Sequence, residues 1–520
     1  MMKLRLILVI SMLTLGVSAP YMEGQLIARF ENNISMDVIK TDLNASGLTA
    51  DQLLVKKLNI WLVTFAEGSG LTTSDALDKL RQFSFVKYAQ FDHFTQERRE
   101  PNDPFYPQMW DMNNTGQNGG VVDADIDAPE AWDITTGGMT AIGDEIVVAV
   151  VDGGVAMTHP DLVNNIWVNE NEIQGNGVDD DNNGYVDDIN GWNAYNNNGN
   201  IPSNNHGTHV AGTVGATGDN ATDVVGINWD VKIMCVAGST SQTSVVSIAY
   251  GYVLDQKTLW LETDGEFGAN VVATNSSFGI DFADCNSGSY PIWNDLYSAM
   301  GEVGILSAAA TINSNQNVDN IGDVPTGCSS DWLISVTNTT SSDQKYSGAG
   351  YGLTTIDLGA PGTQICSTIP GGVSCSYTGT SMATPHVAGA VGLMHAAAPT
   401  TWAQDYLTDP GGKALELKQI MLDTVDPLPT LQGVTVSGGR LNLFNAVSEI
   451  SQAGSNITPG DVNNDANINI LDIISIINYI TNGAEFTPDE FLAADMDESG
   501  EINVVDIVLI VNIIINAAAH

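Results

Sequence analysis

The chain has 520 residues, 43% of them hydrophobic, with 62 Asp and Glu against 17 Lys and Arg and a formal net charge of −45. That length exceeds one compact core, and so negative a surface repels nucleic acid and anionic membranes, which makes both poor partners. The imbalance is confined: residues 20–100 carry 9 basic and 11 acidic side chains, residues 101–520 carry 6 and 51, and no Lys or Arg follows Arg440.

In chain order, residues 1–19 read as an export signal. Lys3 and Arg5 precede an apolar stretch over 6–17, and Val17-Ser18-Ala19 supplies small residues before a cleavage point. The stretch is shorter than the ~20 residues a span requires, so no membrane span is expected in the mature chain. Residues 20–98 predict a small α+β unit, with strands over 25–30, 59–65 and 86–91 and helices over 36–43 and 74–83, the second starting at Ser74. Arg98-Arg99-Glu100-Pro101 reads as an exposed connector. Over 99–450, β-branched runs at 146–151, 231–236, 270–274 and 333–336 alternate with Gly-rich turns and helical patterns. This predicts a doubly wound, mainly parallel α/β sheet covered on both faces. A polar linker over 451–459 leads to residues 460–520, two similar loop-helix units that predict a small all-α pair. Of five cysteines, Cys366 and Cys375 are close enough for a local bridge, Cys285 and Cys328 can form a second, and Cys235 lies in an apolar run that suits a buried thiol.

Three segments carry chemistry. Asp152 ends the first β-branched run, His206 stands in Asn205-His206-Gly207-Thr208-His209, and Ser381 stands in Gly379-Thr380-Ser381-Met382-Ala383-Thr384-Pro385-His386. Acyl transfer needs a nucleophile, a base to take its proton and an acid to orient the base; these segments supply one of each, in the order Asp, His, Ser. Ser381 opens a run of small residues, near a helix N-terminus where the macrodipole favours a developing anion, with Pro385 placed in the first turn.

These three blocks, within residues 105–450, resemble the subtilase family. The resemblance implies a secreted serine endopeptidase that acts on proteins or peptides through an acyl-enzyme. It implies a zymogen with residues 20–98 as an inhibitor-type propeptide cleaved near residues 96–100. Ser381 would be the nucleophile, His206 the general base and then acid, and Asp152 its orienting partner. The family's second oxyanion donor is an Asn; Asn313 aligns best, with Asn315 and Asn317 close by, and Ile312 stands where the family usually has Gly. A β-branched residue resists positive φ, so the turn is expected to differ. Ser277 and Gly279, in Asn275-Ser276-Ser277-Phe278-Gly279, match the strand that pairs with substrate backbone and edges the primary specificity pocket. His209 and His386 are expected to be packing residues, and His159 matches a loop preceding a calcium ligand.

Oxygen-bearing residues recur with calcium-loop spacing in three places. Asp179, Asp181, Asn183 and Asp187 lie between Asp152 and His206, with Gly184 at the sixth position. Asp461, Asn463, Asp465, Asn467, Asn469 and Asp472 occupy positions 1, 3, 5, 7, 9 and 12 of a loop, and Asp495, Asp497, Ser499, Glu501, Asn503 and Asp506 repeat it. Duplicated units of this length resemble dockerin domains. They imply calcium as the cofactor, a cohesin-like surface protein as partner, and an extracellular location with possible attachment to the cell surface. Asp161 and the 219–223 loop are weaker calcium candidates. In the first dockerin-like helix, Ile470, Ile473, Ile474, Ile477 and Ile480 make one apolar stripe, expected to form the module's small core; the second helix is apolar on nearly every side. A catalytically dead binding module, a surface-assembly component and an acyl transferase are the other classes open at this point.

Overall fold

The computed structural model describes residues 21–520 except 32–33, 66–70, 94–99, 241, 454–458, 464–466, 483–485, 487, 497–501 and 518–520. The export signal, Arg98 and Arg99 of the connector, Asp465, Asp497, Ser499 and Glu501 therefore lie outside the described residues. The chain divides into two compact units, Met1–Glu97 and Arg98–His520.

The first unit contains β1 (Tyr21–Phe30), α1 (Met36–Ala45), β2 (Leu48–Val55), β3 (Ile60–Phe65), α2 (Thr73–Arg81) and β4 (Val86–His93). Its strands form one sheet in the order β2-β3-β1-β4. Leu26, Phe30, Ile39, Leu43, Val63, Leu77 and Leu80 are its core. Sequence patterning missed β2, because only Leu48 and Ala50 of that strand are buried and no alternation survives. It also placed the start of α2 late. Thr72, not Ser74, caps the helix, accepting the Asp75 N–H while the Asp75 carboxylate accepts the Thr72 N–H.

The second unit runs α3 (Ala128–Trp132), β5 (Val147–Asp152), β6 (Gly191–Asn193), α4 (Asn205–Gly215), β7 (Lys232–Ala237), α5 (Thr243–Glu262), β8 (Val271–Ser276) and β9 (Ile280–Asp281). It continues with α6 (Pro291–Glu302), β10 (Leu306–Ala310), α7 (Val318–Ile321), β11 (Asp323–Val324), β12 (Leu333–Thr339), β13 (Leu358–Pro361), β14 (Ile365–Ile369), β15 (Gly372–Tyr377) and α8 (Thr380–Ala397). Last come α9 (Thr400–Thr408), α10 (Pro410–Asp423), β16 (Asp426–Pro427), β17 (Gly439–Arg440), α11 (Leu443–Ser451), α12 (Ile470–Asn482), α13 (Pro488–Ala494) and α14 (Val504–Ala517).

Nine strands form one sheet in the order β16-β17-β13-β12-β10-β8-β5-β7-β6. Every pairing is parallel except β16 with β17. The β-branched runs are its fully buried strands, and helices cover two separate apolar layers, so the fold is a doubly wound α/β sandwich. The order reverses around β5: the chain leaves it for β6 and β7 on one side and returns to β8 on the other. In such sheets the crevice outside the carboxyl ends of the strands is where ligands sit. Helix α8 runs buried from Met382 to His395 against β8, β10 and β12; its alanines and glycines let the backbones approach closely. The Cys285–Cys328 and Cys366–Cys375 bridges form, and Cys235 is a buried free thiol.

The carboxyl-terminal module has its own small core of Val462, Ile473, Ile476, Ala494 and Ile510. This corrects the expected stripe on α12. Ile473 faces inward with Ile476, whereas Ile470, Ile474, Ile477 and Ile480 are exposed. The buried arc is set by Asp472, which must turn inward to cap the preceding loop, and so rotates the other isoleucines outward.

Candidate active site and calcium-type loops

Three strand ends and two helix starts converge on the crevice. Asp152 is the last residue of β5 and is buried. Its Oδ2 lies 2.8 Å from His206 Nδ1, and its Oδ1 accepts the Gly153 N–H at 2.6 Å. His206 stands in the first turn of α4, capped by the Asn204 side chain, which accepts the His206 and Gly207 N–H groups at 2.8 and 3.1 Å. Gly207 is required by this approach: a Cβ there would collide with the Gly154 carbonyl oxygen and crowd Asp152. Burial works to lower the His206 pKa, but the hydrogen bond and charge of Asp152 outweigh it and raise the value above that of an ordinary histidine.

Ser381 is the second residue of α8 and shares one cleft with His206, Asn313 and Gly379. Its Oγ donates to the Ser277 carbonyl at 3.3 Å, while the Ser277 hydroxyl donates to the Ser381 carbonyl at 2.9 Å. Pro385 explains the second bond. It lies in the second turn of α8 rather than the first, a correction to the sequence reading. Lacking an N–H, it leaves the carbonyl four residues back without its helical donor, and that carbonyl is Ser381's.

Asn313 follows β10. Its Oδ1 accepts the Thr380 N–H at 2.9 Å, which fixes the amide orientation, and the residue lines the cleft beside Ser381. Ile312 does not take positive φ; the turn is held by its N–H, which donates to Asp323 Oδ2 at 3.0 Å. Ser277 and Gly279 line a second pocket beside Ser381, with Phe278, Asp281, Ala310 and Asp323. His209 is buried, stacked on Tyr377, with Nε2 3.2 Å from the Ile365 carbonyl; burial pushes its pKa down to about 4. His386 is buried between the Met382 carbonyl and Asp111, at 2.9 and 3.1 Å.

In the loop before β6, carboxylate oxygens of Asp179 and Asp181 come within 4.8 Å of each other and of Glu172. Glu172 was not found by spacing because it precedes the loop by seven residues. The Asp187 carboxylate accepts the Asn176 and Gly177 N–H groups and is not part of that group, while Asn183 stays beside it, its Nδ2 donating to Asp181 and Asp188 at 3.1 and 3.2 Å. Among the weaker candidates, the Asp161 carboxylate accepts Asn220 Nδ2 and the Val224 N–H, both at 2.9 Å. In the terminal module, Asp472 accepts the Asn463 and Asn469 N–H groups, and Asp506 accepts the Met496 and Asn503 N–H groups. Asp461, Asp472 and Asp506 are buried. All-oxygen sets of this kind suit a hard cation.

An Asp–His pair beside a serine at a helix start, on a doubly wound sheet, defines a serine endopeptidase. Residues 143–454 match the subtilase family model, and the chain belongs to that family. Residues 459–515 match the dockerin type I domain model. The chain is 28% identical over 436 residues to the thermophilic serine proteinase of Bacillus sp. (strain AK1), covering 82% of this chain and 88% of that protein. It is 29% identical to thermitase of Thermoactinomyces vulgaris, covering 67% and 99%, and 27% identical to the cell wall-associated protease of Bacillus subtilis (strain 168), covering 81% and 41%. The chain thus spans less than half the length of the last. Subtilases and dockerin domains commonly bind calcium. Among the described residues no helix is long and apolar enough to cross a membrane.

Proposed function

We propose that this protein is a secreted, zymogenic subtilisin-like endopeptidase in which Asp152, His206 and Ser381 are the catalytic triad. The observation that carries the reading is the 2.8 Å Asp152–His206 contact in the cleft that also holds Ser381 and the amide of Asn313. Rotation of Ser381 Oγ away from Ser277 brings it toward His206, whose neutral ring takes the proton as Oγ attacks the substrate carbonyl. Asp152 holds the tautomer with Nδ1 protonated and stabilises the imidazolium. The Ser381 N–H, in a helix first turn without a helical acceptor, and Asn313 Nδ2 stabilise the oxyanion. The imidazolium then protonates the leaving amine, and water repeats the sequence on the acyl-enzyme. Ser277 and Gly279 contact the extended substrate.

Residues 1–19 are read as signal, 20–98 as propeptide, 99–450 as peptidase, 451–459 as linker and 460–520 as the dockerin-like module. The division of the chain at residue 97 supports the second boundary. Calcium is assigned to the loop of Asp179 and Asp181, now with Glu172, and to the two terminal loops, which tether the enzyme to a cohesin-like protein. Fluorophosphonate labelling tests the core of this reading. Wild type incorporates label at Ser381 and Ser381→Ala does not; label elsewhere, or none, rejects it.

A further inference from the structure

The pocket beside Ser381 is closed at its far side by a two-residue antiparallel ladder, β9 against β11, in which Asp281 pairs with Asp323. Like charges placed directly opposite each other are unfavourable, and nothing in the ladder offsets them. Asp323 is 1% exposed. All the hydrogen bonds of its side chain end on Oδ2, from the Ile312 N–H at 3.0 Å, Thr311 Oγ1 at 3.3 Å and Thr326 Oγ1 at 2.5 Å. Oδ1 accepts none, yet it is not among the sealed polar atoms of the interior. It therefore opens into the pocket. Gly279 makes the closure possible, because a Cβ there would strike the Val324 carbonyl oxygen. The Cys285–Cys328 bridge fastens the segments that follow β9 and β11 to each other, so both carboxylates stand on a braced frame.

We propose that Asp323, assisted by Asp281, makes this a protease for bonds that follow a basic residue, with the lysine or arginine head meeting the Asp323 carboxylate. The inference rests on the peptidase reading above. A long side chain spans from the acylated carbonyl to the pocket floor, its methylene stem against Phe278 and Ala310, its charge at the far end. The cavity there is about 60 Å³ and is open to solvent at its mouth, which lets a long side chain enter from the cleft. An apolar side chain would instead seal the carboxylate from water with no counter-ion, which is strongly unfavourable. Burial pushes the Asp323 pKa up to about 7 against the Thr326 and Ile312 hydrogen bonds, with Asp281 adding to the rise; a bound cation reverses that. The chain carries such a sequence itself: Arg98-Arg99 directly follows Glu97, the last residue of the first compact unit.

The test uses the full chain and internally quenched peptides that differ only before the scissile bond, as Arg, Lys, Gln, Leu or Phe. Wild type should cleave the Arg and Lys peptides with kcat/KM at least about tenfold above Gln or Leu. In Asp323→Asn that ratio should fall by about tenfold or more. Should that variant fail to fold, Asp281→Asn, at an exposed position, should lower the ratio by a smaller factor. The amino terminus of self-processed wild type should follow Arg98 or Arg99. Equal or better cleavage of Leu or Phe by wild type overturns the proposal, while fluorophosphonate labelling of Ser381 in the same sample leaves the peptidase reading standing. Neither labelling nor cleavage of any peptide overturns both.

Discussion

The hydroxyl of Ser277 donates to the carbonyl of Ser381 at 2.9 Å, in the place of the helical N–H that Pro385 lacks. A break in α8 thus becomes a tie between the proposed nucleophile and the strand end that edges the specificity pocket. Ser277→Ala leaves that carbonyl without a donor. It should lower stability by about 1–3 kcal/mol and reduce kcat more than it changes KM. Urea unfolding in a Ser381→Ala background and steady-state kinetics in the active chain measure the two effects.

Asn313 lines the cleft with its amide oxygen fixed by the Thr380 N–H. Asn313→Ala should lower kcat by about 10²–10³ with little change in KM, as expected for a donor used only when the oxyanion forms. A comparable fall for Asn315→Ala or Asn317→Ala, with Asn313→Ala near wild type, would reassign the donor.

The raised pKa of His206 comes from Asp152, and the base must be neutral to act. The kcat/KM profile should therefore rise with pH, with a midpoint above that of an ordinary histidine. Asp152→Asn should move the midpoint down and lower kcat by about 10⁴. A profile unchanged by Asp152→Asn would assign the limb to another group.

Asp127 lies in a crowded acidic corner. Burial, then the charges of Asp125 and Asp426, push its pKa up to about 7. The folded chain therefore holds this proton more tightly than the unfolded chain does. Its contribution is fully present below about pH 4 and is lost as pH rises through about 7. Stability of the Ser381→Ala chain should fall over that window, and Asp127→Asn should flatten the fall. A steeper fall in the variant would reverse the sign.

Chelation should lower the melting temperature of full-length Ser381→Ala, since a cation held only by the native state adds about 2.7 kcal/mol at 100 Kd. Glu172→Gln should remove part of the calcium response. A response untouched by Glu172→Gln but lost with Asp187→Asn would restore the set expected from spacing alone.

The juxtaposition of Asp152, His206 and Ser381 was legible because each sits in a contiguous block whose glycines and caps are themselves sequence signals; Asn204 and Gly207 flank His206 within three residues. The buried strands were legible because parallel sheets write themselves as unbroken β-branched runs. What escaped was assembled from distant pieces. Glu172 reaches its partners by a loop excursion, and Asp323 meets Asp281 through a ladder of two residues that no periodicity can mark. On α12 the isoleucines fill two adjoining arcs, so composition could not say which arc faces inward; Asp472 decided it.

The scarcity of cations after residue 100 has a consequence for lifetime. Lys257 is buried with its Nζ 2.5 Å from Asn270 Oδ1, and Arg440 is buried between Asp343 and Asp426. Lys232 is the first residue of β7 and donates to the Asn164 carbonyl at 3.1 Å, Lys413 and Lys418 lie within one helix, and Lys345 is anchored to the Ala349 carbonyl at 2.7 Å. An enzyme that cuts after basic residues would meet almost no extended lysine or arginine on its own mature surface. It would be a poor substrate for its neighbours, able to stand crowded on a scaffold without consuming itself.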